Sequence, residues 1–95
     1  MGSADPAHIA DKFVKSIKTQ PKQSFPKYIA DNAKLFKNMS IRSIKEIEEL
    51  IVKRLIDIFE AKGLSQNKIV QTIVKALELK LPDAEKYARY LKRVR

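Results

Sequence analysis

The stretch "SIKEIEELIVKRLIDIFEAKG", residues 43–63, decides the fold. Ser43 and Glu46 stand at capping-box spacing, and Gly63 falls where a helix that ends in a left-handed residue wants a glycine. Between them Ile44, Ile47, Leu50, Ile51, Leu55, Ile58 and Phe59 recur at helical spacing, and Val52 and Ile56 widen the stripe. An apolar surface broader than one stripe meets neighbours on two sides, so this helix is expected to be the central post of the molecule.

Working outward, Ser65 can cap a following helix in which Ile69, Val70, Ile73, Val74 and Leu77 face a core. Its β-branched content would suit a strand, but strict alternation is absent and both flanks carry helix signals. Pro82 then opens a last helix, with Asp83 and Glu85 at its positive end and Lys92, Arg93 and Arg95 at its negative one. Ala84, Tyr87, Ala88, Leu91 and Val94 form its dry side. Toward the start, Asp5-Pro6 caps and opens a helix over 6–19 through Ile9, Phe13, Val14 and Ile17. Pro21 and Pro26 bracket a connector, "KQSF", from which Ser24 caps a second helix ending near Asn38, with Phe25, Ile29 and Phe36 as its stripe and Tyr28 and Leu35 beside them. Five short helices without a hairpin signal predict an all-α, compact bundle.

The 95 residues fit one domain over 5–95. The opening "MGS" reads as a cloning scar over 1–4, which suits a domain cut from a longer protein. A chain of this size removes from water only roughly 60 to 68% of its unfolded surface, so each helix face matters. There is no cysteine, which fits a reducing, intracellular setting and removes thiol chemistry. No apolar run approaches the roughly 18 residues of a membrane span. The strongest global signal is charge: 20 Lys plus Arg against 11 Asp plus Glu, net +9, which attracts polyanions.

Catalytic parts are missing. The one histidine, His8, sits in a first helical turn, which leaves no serine–histidine–acid set and no histidine metal pair. Glu46, Glu48 and Glu49 read as a solvated face with pairs such as Glu49–Lys53. Neither glycine belongs to a phosphate-binding loop, because "GLSQNK" lacks the second glycine and the Lys-Ser/Thr ending. The expectation is a non-enzymatic chain without cofactor or metal.

What remains points to nucleic acid. If residues 66–77 pack through their apolar side, Gln66, Asn67, Lys68, Gln71, Thr72 and Lys75 face outward, and no acid occurs from Gly63 to Leu77. Amides pair bidentately with adenine edges, threonine bonds phosphate or base, and lysine supplies attraction. The last helix adds Lys86, Arg89, Lys92 and Arg93, with Tyr90 among them as a ring that stacks on a base or lies across the bundle. Residues 63–94, "GLSQNKIVQTIVKALELKLPDAEKYARYLKRV", resemble helix-turn-helix DNA-binding domains. That resemblance implies either 66–77 or the last helix in the major groove. "IVQTIVKALELKLPDAEKYA" also resembles the helical hairpin of the histone-like HU/IHF family, whose DNA-gripping arms have no counterpart here. The expected function is nucleic-acid binding, DNA ahead of RNA because stacking aromatics are sparse. An accessory module of a replication, recombination, plasmid or viral protein is one form it would take. The competing expectation is a protein-interaction or oligomerisation bundle, with the broad face of residues 43–63 or the Phe13, Phe25 and Phe36 group left open to a partner helix or a second copy.

Overall fold

The computed structural model describes residues 5–20 and 22–93, with side chains through Leu91. The expectations for residues 1–4, Pro21, Val94 and Arg95 lie outside the described residues. Within them the protein is an all-α globule of six helices: α1 (Pro6–Thr19), α2 (Phe25–Asp31), α3 (Ala33–Phe36), α4 (Ile41–Ala61), α5 (Gln66–Leu77) and α6 (Leu81–Arg93). No described helix is long and apolar enough to cross a membrane.

Local chemistry sets most boundaries. The Asp5 carboxylate accepts from the Ala7 N–H and starts α1 ahead of Pro6. The Ser65 hydroxyl accepts from the Lys68 N–H and starts α5. Gly63, at φ +75°, closes α4 with a pair of backbone bonds, Leu64 N–H to Phe59 O at 2.9 Å and Gly63 N–H to Glu60 O at 3.0 Å. Together they form a Schellman motif, which satisfies carbonyls that the helix end leaves bare.

Two expectations need correction. The helix expected to start at Ser43 begins at Ile41, capped by Ser40, whose Oγ accepts from the Ser43 N–H at 3.1 Å. Ser43 is therefore the third helical residue, and Ser40 donates its own hydroxyl to Ser43 Oγ. The second expected helix is broken into α2 and α3 at Asn32, which brings the count to six. Asn32 Nδ2 donates to the Tyr28 carbonyl at 2.9 Å, its backbone N–H is shared between Tyr28 O and Ile29 O, and its backbone, at φ −121° and ψ 41°, leaves the helical region, so the helix breaks there.

α4 is the post around which α1, α5 and α6 pack, and α5 and α6 also pack on each other. Its Ile47, Ile51, Val52, Leu55 and Ile56 are buried. Lys45 and Glu49 line a groove with α6, whereas Arg54, Asp57 and Ile58 line one with α1, where Arg54 Nε stands 2.5 Å from Asp11 Oδ1. Lys45 and Arg54 are nine residues apart, about two and a half helical turns, so α6 and α1 occupy opposite flanks of α4.

Phe13, Phe25, Tyr28 and Phe36 tie α1, α2 and α3 together through edge-to-face contacts with centroids 5.3 to 6.2 Å apart. Phe13, Phe25 and Phe36 are buried, so this group is core and offers no open face to a partner. α5 ends at Glu78, a non-glycine residue at φ +53°, and the Glu78 carboxylate accepts from the hydroxyl of buried Ser24, the cap of α2. That hydrogen bond fastens the start of α2 to the end of α5.

Candidate nucleic-acid interface

α5 buries Ile69, Val70, Ile73, Ala76 and Leu77, which turns Asn67, Lys68, Gln71 and Lys75 outward, all exposed. Gln66, also exposed, lies in the first turn, where there is no acid. The positive end of the helix dipole favours an anion there. Thr72 is different from its neighbours. It is half-buried and donates its hydroxyl to the Lys68 carbonyl at 3.0 Å, so only acceptor capacity remains for a ligand.

α6 buries Ala84, Ala88 and Leu91 and presents two flanks. One meets the start of α5: Gln66, Asn67, Val70, Glu85 and Arg89 line an open groove of about 320 Å³. The two amides and the guanidinium thus come from separate helices to one place. Glu85 precedes Arg89 by four residues, which puts both on one face and lets the carboxylate steady the guanidinium.

The other flank meets α4. There Lys86 and Tyr90 line a groove with Lys45, Glu49, Asp83 and Tyr87, and Lys45 Nζ lies 6.0 Å from the centre of the Tyr87 ring. Two cations face two carboxylates, so this groove is charge-balanced. The Tyr87 hydroxyl is held protonated far above the ordinary phenol range by burial first, then by the carboxylates of Glu48 and Glu49. Those glutamates are half-buried against α6, unlike the solvated face expected of them.

The eleven residues singled out from the sequence therefore divide. Gln66, Asn67 and Arg89 converge; Lys68, Gln71 and Lys75 continue outward from them along α5, with Thr72 half-buried beside them; Lys86 and Tyr90 line the groove on the α4 flank of α6. The side chains of Lys92 and Arg93 lie outside those described. Sequence reading missed Glu85 as a groove residue, although its spacing from Arg89 signalled it, and missed Lys45 and Glu49, for which no local signal exists. Among the described residues, no cluster of three or more histidine, cysteine or acidic side chains is placed to hold a metal. No protein-family model, curated protein or solved structure matches the chain.

Proposed function

We propose that this chain is a non-enzymatic, nucleic-acid-binding helical domain that favours duplex DNA, with the start of α5 and Arg89 of α6 as its contact surface. The observation that carries the reading is the α5–α6 groove, where Gln66 and Asn67 meet Arg89 at the positive end of α5 in a chain of net charge +9. Arg89, Lys68 and Lys75 hold phosphates and set the register, and the amides supply what base preference exists. The tight α4–α5 turn and the mutual packing of α4, α5 and α6 suit a helix-turn-helix arrangement with α5 as the entering helix.

The test is salt-titrated binding to duplex DNA, single-stranded DNA, RNA and heparin. With about four or five phosphate contacts on duplex DNA, log K falls with log salt at a slope near roughly −4. Replacing Gln66 and Asn67 together by alanine changes preference among duplex sequences more than mean affinity. Equal affinity for heparin and duplex, with no effect of those substitutions, would reduce the interaction to plain basicity and overturn the proposal.

A second reading has its own observation. Ile41 is 86% exposed and Tyr90 56% exposed. Ile41 and Tyr90 belong to adjoining charge-balanced grooves that share Lys45 and Glu49. An uncharged apolar partner segment suits that face better than a phosphate backbone does. Salt-independent self-association or peptide binding lost in Tyr90→Ala would establish it.

A further inference from the structure

The basic groups assigned above leave most of the charge unexplained. Residues 12–37 contain seven lysines and one acid, Asp31, which amounts to six of the nine net positive charges, and all seven lysines are exposed. On α1 the core side is Ile9, Ala10, Phe13 and Val14, and Lys12, Lys15 and Lys18 follow at three-residue intervals on the exposed side, where Lys15 and Lys18 also line the α1–α4 groove. The row extends roughly 9 Å along the helix axis, a length over which duplex DNA presents about five phosphate charges. Beside it stand Asp11, which is engaged by Arg54, and Asp57 in the α1–α4 groove.

We infer that the outer face of α1 is a second, sequence-independent duplex-binding surface, set back to back with the α5–α6 groove, and that one copy of the chain bridges two DNA duplexes. The inference rests on the nucleic-acid reading above and extends it from one contact surface to two. The geometry comes from α4: α1 and α6 pack on flanks half a revolution apart, which places the lysine row and Arg89 on helices that α4 separates. Lysines act as point charges without base readout, so this face adds hold without preference. A lipid surface is the poorer occupant. A helix that lies in a membrane interface needs an apolar side to bury there, and that side of α1 is spent in the core.

The experiment captures one duplex on beads, adds the protein and measures retention of a second, fluorescent duplex. The wild-type chain retains it. The combined variant Lys12→Gln, Lys15→Gln and Lys18→Gln still binds the bead duplex but retains the second on the order of tenfold less or worse, from lost counterion release. The substitutions are exposed and keep helix propensity, and an unchanged thermal midpoint verifies that the fold survives. Arg89→Ala with Gln66→Ala also abolishes bridging, while its residual duplex binding shows no sequence preference.

Undiminished bridging by the triple-lysine variant overturns the inference, since the second duplex would then be held elsewhere or by another copy. So does stronger binding to phosphatidylserine vesicles than to duplex that depends on the same three lysines. Capture of the first duplex without the second overturns only the bridging. Failure of the wild-type chain to take the first duplex overturns the underlying nucleic-acid reading instead.

Discussion

Tyr87 shows what one buried polar atom does to the molecule. Its hydroxyl is closed off from solvent and makes no well-formed hydrogen bond, while Glu48 and Glu49 press negative charge toward it. Burial is the larger cause of its raised pKa and the carboxylates add to it, so the folded state keeps this proton where the unfolded chain would release it. The sign follows from proton counting. Below the unfolded value of about 10 both states hold the proton and the contribution to stability is intact; as pH rises past it, stability falls by up to about 1.4 kcal/mol per pH unit. Tyr87→Phe removes that alkaline loss and changes stability at neutral pH by less than about 1 kcal/mol, because an unpaired buried hydroxyl contributes little. Thermal melts of both proteins at neutral pH and near about pH 11 check this. An identical alkaline decline in the two would assign the sensitivity to other groups, Tyr28 among them, whose pKa burial also raises.

Helix ends carry the next level of organisation. The Gly63 turn fixes how α5 leaves α4, and a methyl group there would meet nothing within 4 Å, so the cost of Gly63→Ala comes from backbone conformation alone. At φ +75° that cost is about 1 kcal/mol, a fall of roughly 4–8 °C in Tm for a domain of this size. A melt unchanged within a degree would mean that the turn relaxes. The same elements show how far local reading reaches. Asp5-Pro6, Ser65 and Gly63 each do their work within four or five residues, and for that reason α1, the end of α4 and the start of α5 were legible in the sequence. Ser40 was passed over because Ser43 offered a glutamate at the right spacing, whereas Ser40 gains its advantage by engaging Ser43 itself. Asn32 breaks a well-spaced apolar stripe because its side chain bonds back to the preceding turn at Tyr28 O while its own backbone leaves the helical region, an effect that periodicity does not register. The candidate site was legible as residue types on α5 and α6. Its division was not, because which flank of α6 meets α5 and which meets α4 is a property of packing, and only packing brings Gln66 to Arg89 and Lys86 to Lys45.

Across the whole molecule, charge is distributed by sector. α4 carries nearly balanced charge, while among the described residues the surplus lies on the outer faces of α1 and α5 and in the connecting turns. Glu85 is the exception inside the α5–α6 groove, where it steadies Arg89 and also repels phosphate. Glu85→Gln is expected to raise duplex affinity by about 1 kcal/mol, roughly fivefold, with the gain shrinking as salt increases. A drop in affinity on fluorescence titration would show that holding the guanidinium in place outweighs the lost repulsion. The bond between Ser24 and Glu78 acts at this scale too, joining partners 54 positions apart. Closing a loop of that size carries an entropic penalty of about 3.5 kcal/mol, which the packing of α2 on α5 must help to offset. It follows that the aromatic group of α1, α2 and α3 is tied through the Ser24 side chain to the far end of α5, and Glu78→Ala would deprive that buried hydroxyl of its acceptor.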